Sequence, residues 1–221
     1  MKKHFKLLFI FLILFPFNAY ALIEVDITRG NLNPLPVAVS PLSLDKKSLD
    51  DLEKILKKKD IGSEISTVVE NNLRASGLFN PLNKDAFLQK PDIAHLKPRF
   101  EDWALIKAQA LITGKVILKD EKIRVEFRLW DVLAGKEMMA LAFTTVPSNW
   151  RRVGHIITDK VYERLTGEKG YFDTRIIYVA EEGPKTKRIK KLAIMDQDGA
   201  NNKFLTLGNE LVLTPRFNPT S

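Results

Sequence analysis

Ala110-Leu111-Ile112-Thr113-Gly114-Lys115-Val116-Ile117-Leu118-Lys119-Asp120-Glu121-Lys122-Ile123-Arg124-Val125-Glu126-Phe127-Arg128-Leu129 reads as two strands joined by a turn. Ala110, Ile112, Gly114, Val116 and Leu118 alternate with a more polar set, and Ile123, Val125, Phe127 and Leu129 alternate with Arg124, Glu126 and Arg128. A period of two is the mark of strands that bury one face each. The polar cluster Lys119 to Lys122 between them makes a β-hairpin. Asp131 to Gly135 supplies the next turn, and Met138 to Val146 extends the hairpin to a three-stranded meander.

Helical patterns flank this meander. Downstream, Trp150, Val153, Ile157, Val161 and Leu165 form one apolar face, with Ser148 or Asn149 as the cap and Gly167 as the stop. Upstream, Ser48 is the expected cap of a helix carrying Leu49, Leu52, Ile55 and Leu56, and Ile61, Ile65, Val68, Val69 and Leu73 line the next, closed by Gly77. Phe79-Asn80-Pro81-Leu82 leads away from it. Pro91 and Pro98 bracket an irregular connection, followed by a short helical piece around Trp103 to Ile106. Two further strands are expected nearer the start: Pro36 to Val39, and Ile23 to Thr28, where Ile23, Val25 and Ile27 alternate with Glu24, Asp26 and Thr28. The fold class expected for residues 22–168 is therefore an α/β domain, a mixed sheet with packed helices.

The texture changes after Gly167. Glu168-Lys169-Gly170 is linker-like, and beyond it come short strands at Arg175 to Ala180, Arg188 to Met195 and Lys203 to Leu207, separated by turns. That is the pattern of a β-propeller blade, so residues 169–221 are expected to be the start of a β-propeller, one incomplete repeat. Leu213 to Pro219 begins what would be another repeat.

At the other end, Lys2, Lys3 and Lys6 precede an apolar run from Leu7 to Phe15, and Ala19-Tyr20-Ala21 follows Pro16 and Asn18. Residues 1–21 read as a signal peptide cleaved between Ala21 and Leu22. The run is too short for a membrane span, which needs about 20 apolar residues. The formal charge of +8 falls by those three lysines on cleavage, a surplus too small and scattered to mark a nucleic-acid binder. Lys57-Lys58-Lys59 reads as a solvated helix end. With no cysteine, disulfides, thiolate metal sites and a lipid-bearing Cys are excluded.

Nothing in the motifs points to catalysis, since G-x-S-x-G, H-E-x-x-H, phosphate-loop and dinucleotide signatures are all missing from the sequence. No catalytic residue, cofactor site or metal site is expected. His95 and His155 have no ligand-spaced partner in sequence and read as packed or surface residues. Asp196-Gln197-Asp198-Gly199 opens like a calcium loop but lacks its closing Glu, and reads as a hairpin turn. Trp103, Trp130 and Trp150 flank apolar runs and read as core.

Several stretches nevertheless carry a resemblance. Glu24-Val25-Asp26-Ile27, Pro36-Val37-Ala38-Val39, Asn72 through Leu82, Gly154-His155 through Asp159, Tyr162 through Gly170 and Thr174 through Val179 occur in the order seen in TolB, the periplasmic component of the Tol-Pal system. Phe217-Asn218-Pro219 resembles the family's F-S-P-D-G blade motif, from which Asn218, Thr220 and Ser221 depart. The resemblance implies a monomeric, non-enzymatic periplasmic protein that binds TolA and the lipoprotein Pal and supports outer-membrane integrity and constriction at division. It implies TolA contact through the N-terminal segment: Leu22, Ile23, Glu24, Val25, Asp26, Ile27, Thr28 and Arg29. The residues alone favour an edge strand that never leaves its sheet; only the resemblance reverses that order. The rival reading is a periplasmic hydrolase whose catalytic domain lies outside this chain.

Overall fold

The computed structural model of the protein describes residues 33–58 and 60–218. The signal peptide, the cleavage site and the expected strand Ile23 to Thr28 lie outside them. A six-stranded mixed sheet is built from β1 (Leu35–Val39), β2 (Ser43–Leu44), β3 (Phe79–Pro81), β4 (Ala110–Lys119), β5 (Lys122–Asp131) and β6 (Lys136–Thr145). Its order is β3-β1-β4-β5-β6, with β2 paired to the far half of β4. β1 runs parallel to both β3 and β4, and β4, β5 and β6 form the antiparallel meander. Asp120 and Glu121, at φ +50° and +57°, are the two left-handed residues of the β4–β5 turn. Two such residues match the right-handed twist of the strands they join.

Five helices accompany the sheet among the described residues: α1 (Lys46–Leu56), α2 (Ile61–Ala75), α3 (Pro91–Leu96), α4 (Phe100–Leu105) and α5 (Trp150–Thr166). On one face of the sheet, α1, α2 and α5 bury Leu52, Ile65, Val68, Leu73, Val153, Ile157, Val161 and Leu165 against Val37, Val39, Ile112, Val116, Val125, Phe127 and Leu129. Each fully buried side chain of this kind contributes about 1.5 to 3 kcal/mol. Among the described residues the opposite face is covered near β1 and the start of β4, where Ala94, Trp103 and Ala108 sit with Ala38 and Leu111. No helix among the described residues is long and apolar enough to cross a membrane.

Local chemistry corrects four of the expectations. The cap of α1 is Asp45, not Ser48: its carboxylate accepts from Ser48 N at 2.9 Å and from Ser48 Oγ at 2.6 Å. These bonds from Ser48 lower the Asp45 pKa below the ordinary carboxylate value. Ser48 is instead buried three residues inside, where its hydroxyl accepts from Leu118 N at 3.2 Å and ties the helix to β4. Ile55, expected on the apolar face, is 54% exposed. The connection between Pro91 and Pro98 contains a helix, because proline at the first helical position loses no hydrogen bond that the helix could have used. Neither Ser148 nor Asn149 caps α5 with its side chain; a single 3-10 turn, Pro147–Asn149, leads into it, and Asn149 Nδ2 donates to Thr145 Oγ1 at 3.2 Å.

A second sheet follows, β7 (Arg175–Glu182), β8 (Ile189–Asp196) and the two-residue β9 (Lys203–Phe204), shorter than the expected Lys203 to Leu207. The chain between α5 and β7 is tied down. Asp159 in α5 accepts from Phe172 N at 2.6 Å and Asp173 N at 3.1 Å, and Phe172 is buried against Tyr162.

Helices α2 and α5 cross at Gly154. A Cβ there would stand 2.9 Å from Val68 Cγ1 and 3.0 Å from Val68 Cβ, closer than packed carbons approach. Alanine would regain about 1 kcal/mol of helix propensity against this overlap, whereas valine regains less and overlaps more. Gly154→Val is expected to destabilise the fold by about 1 to 3 kcal/mol in urea unfolding. Adding Val68→Ala should restore part of the loss; a Gly154→Val protein as stable as the parent would show that the crossing is loose.

Candidate functional site

The apolar stripes of α2 and α5 are each interrupted by polar residues that meet at the crossing. Asn72 on α2 and His155 and Thr158 on α5 are all buried. Thr158 Oγ1 donates to the Gly154 carbonyl at 2.8 Å, four residues back. With its proton used there, Thr158 Oγ1 accepts from Asn72 Nδ2 at 3.2 Å. The second proton of that amide points to His155 Nδ1 at 2.8 Å. Asn72 Oδ1 accepts from Gln197 Nε2 at 3.0 Å, which draws the β8–β9 turn into the network.

This chain of donors fixes the imidazole. Nδ1 is an acceptor, so the single proton of neutral His155 sits on Nε2. Nε2 is buried with no hydrogen-bond partner and faces two carboxylate oxygens, Asp196 Oδ2 and Asp198 Oδ2, each 3.9 Å away. Burial lowers the basicity of His155; Asp198 opposes the shift and Arg151 adds to it.

The two aspartates are held by the turn they belong to. Gly199 takes φ +83°, and Gly199 N donates to Asp196 O while Asp196 N donates to Ala200 O, both at 2.9 Å. Asn201 Nδ2 donates to Asp196 Oδ2 at 2.6 Å. Arg151, in the first turn of α5, pairs with Asp198, and its Nε lies 3.8 Å from Asp196 Oδ2. Next to it Arg152 grips Asp173 with two nitrogens at 3.0 Å. A cavity of about 300 Å³ opens beside these groups, bordered by Ser148, Asn149, Arg151, His155, Asp173 and Asp196. His155 and Asp196 line it, and His155, Asp196 and Asp198 each offer a ligand atom, all within 4.8 Å of one another.

The hairpin reading of Asp196 to Gly199 therefore describes its backbone, while its two carboxylates meet a histidine over 40 residues away that sequence spacing could not pair with them. Only the polar breaks in two helical stripes hinted at the meeting. The expected TolA-contact residues, Leu22 to Arg29, lie outside the described residues. Trp103 is core, its Nε1 donating to Gln89 Oε1 at 3.1 Å; Trp150 is buried, and Trp130 is half-buried with its Nε1 on Thr113 Oγ1 at 2.9 Å.

The architecture is thus an α/β module followed by a short-stranded antiparallel sheet, with a polar seam between them. Residues 23–138 match the family model described as the TolB amino-terminal domain, and residues 162–221 match the TolB beta propeller domain. The chain belongs to the TolB family. It is 83% identical over 216 residues to the Tol-Pal system protein TolB of Pelagibacter ubique (strain HTCC1062), a match covering 98% of this chain and 48% of that protein. The chain thus spans about half the length of the curated relative it matches. The crystal structure of TolB from Acinetobacter baumannii shares the fold, with a TM-score of 0.61 at 23% identity over 83% of this chain and 41% of that one. The expected fold class, an α/β domain followed by the start of a β-propeller, holds.

The second histidine, His95 on α3, is buried with Nδ1 unpartnered. Burial lowers its pKa below 6.5, the Lys115 and Arg128 cations lower it further, and Glu126 opposes them. A base that loses affinity for protons on folding makes the folded state more stable above its unfolded pKa and less stable as pH falls below it. Stability is therefore expected to drop on acidification from pH 7.5 to 5, and to drop less in His95→Gln. Chemical denaturation at matched pH values tests this; equal slopes in the two proteins would exclude a contribution from His95.

Proposed function

We propose that this protein is a non-enzymatic component of the Tol-Pal system, exported to the periplasm after cleavage between Ala21 and Leu22. It binds TolA and Pal, and so supports outer-membrane integrity and constriction of the envelope at division. The observation that carries this reading is the 83% identity, across 98% of the chain, to a protein named for that system. The two modules are taken as residues 22–168 and 169–221. The first carries the TolA-binding segment, and the propeller carries the Pal-binding surface.

Leu22 to Arg29 suits a strand that docks and detaches. Burial of Ile23, Val25 and Ile27 contributes about 1.5 to 3 kcal/mol for each side chain fully covered, while ordering the backbone costs about 1 to 2 kcal/mol per residue. Terms this close leave the docked state marginal, so a coupling of about 1 to 3 kcal/mol from a partner bound elsewhere is enough to release the segment. Addition of the freed strand to the edge of another sheet is the mode of recognition its alternation fits.

Calorimetric titration with TolA tests this on the chain starting at Leu22, on one starting at Pro34, and on Val25→Asp with Ile27→Asp. Circular dichroism checks each fold. Binding is expected for the first and at least a tenfold loss in the other two. A folded Pro34 version that binds TolA as tightly as the parent would refute the segment's role.

A further inference from the structure

We propose that His155, Asp196 and Asp198 bind a divalent transition-metal ion of the Zn²⁺ type, and that the bound ion pins the β8–β9 turn to helix α5. Burial, spacing and space for solvent converge on the same point. The His155 side chain is 97% buried, and its Nε2 has no hydrogen-bond partner and lies 3.9 Å from each of the two Oδ2 atoms. All three candidate ligand atoms lie within 4.8 Å of one another. The cavity beside them has room for solvent ligands.

Zinc bonds to imidazole nitrogen and carboxylate oxygen at about 2.0 to 2.1 Å, which places neighbouring ligand atoms of a tetrahedral site roughly 3.3 Å apart. Each carboxylate then has to move inward by about half an ångström. Asp198 sits in the turn and Asp196 is the last residue of β8, where such a shift is easier than in the middle of a ladder. One nitrogen and two oxygens, with no thiolate, favour Zn²⁺, Ni²⁺ or Co²⁺; calcium and magnesium prefer oxygen alone. Asn72 holds the His155 ring at Nδ1, away from the ligand atom, as in established metal sites, while Asn201 and Arg151 hold the two ligand oxygens themselves, Oδ2 of Asp196 and Oδ2 of Asp198. Two carboxylates and the Arg151 guanidinium sum to one negative charge, which the ion offsets.

The proton has a defined destination. The ion takes the lone pair of Nε2, so the single proton of neutral His155 transfers to Nδ1 through solvent, with no net release. Nδ1–H then needs an acceptor. Rotation of the Asn72 amide presents Oδ1 to it, the Thr158 hydroxyl turns from the Gly154 carbonyl to the same oxygen, and the Gln197 amide rotates to accept from Asn72 Nδ2. Every bond of the starting network among these side chains is replaced. Occupancy at Nε2 is thereby transmitted through α2 to Gln197 in the second sheet.

The test uses the 221-residue chain without its first 21 residues, treated with EDTA and titrated with ZnCl₂ by calorimetry. The same titration with CoCl₂ is followed by visible absorption. One ion per chain is expected with a Kd below 10 µM. It should weaken at least tenfold in His155→Gln and in Asp198→Asn, and stay unchanged in His95→Gln. Histidine ¹⁵N spectra should show the His155 proton moving from Nε2 to Nδ1 on Zn²⁺ addition. Asp198→Asn removes a charge from an exposed turn, so it reports even where His155→Gln does not fold. No saturable binding by the parent chain, or undiminished binding in folded Asp198→Asn, overturns the proposal.

Discussion

A ten-residue strand buried on both faces over its first half has to be covered on both sides, and β4 imposes that requirement on everything around it. Ala110 and Ile112 face α2 and α5, while Leu111 faces Trp103 and Ala94. Its backbone is shared among β1, β2 and β5, so three separate segments of chain converge on it. Parallel neighbours cannot be joined by tight turns. The helices that lie between β1 and β4 in sequence are the connections this geometry demands, and together with α5 they supply the apolar faces that cover it. Farther along β5 and β6 the outer face carries Arg124, Glu126 and Arg128 in ion pairs, which leaves it suited to water.

How much of this could be read beforehand depended on the range of each interaction. The meander was legible because Ile123, Val125, Phe127 and Leu129 announce their face by parity alone. The helices were legible by spacing, and Gly77 and Gly167 do take positive φ at the helix ends. Misreadings arose where two local solutions competed. Asp45 and Ser48 both suit a cap, and the carboxylate wins because it accepts two bonds from the serine, whose own hydroxyl remains available to β4. Pro91 reads as a breaker in isolation, yet at the first helical position proline is compatible with a helix. The polar seam was invisible for another reason. Asn72, His155 and Gln197 lie in three segments far apart in sequence, and no pattern within a window can pair them.

The seam differs in kind from the cores on either side. Apolar packing tolerates small displacements at small cost, but a buried amide and imidazole do not tolerate the loss of one partner. Asn72 satisfies three groups at once, on its own neighbour helix and on the following sheet. The relative placement of the two modules is thus specified by direction as well as by contact area.

Sheet topology also divides the chain in time. In the meander the register joins neighbours across turns of a few residues, from Lys119 beside Lys122 outward to Ala110 beside Asp131. β1 meets β4 only when Val37 finds Ala110, and it must be flanked on the other side by Phe79 to Pro81. Closing that longer loop costs more entropy before any contact rewards it. The β4–β6 ribbon is therefore the segment best placed to assemble first, and β1, although synthesised before it, depends on longer-range closure.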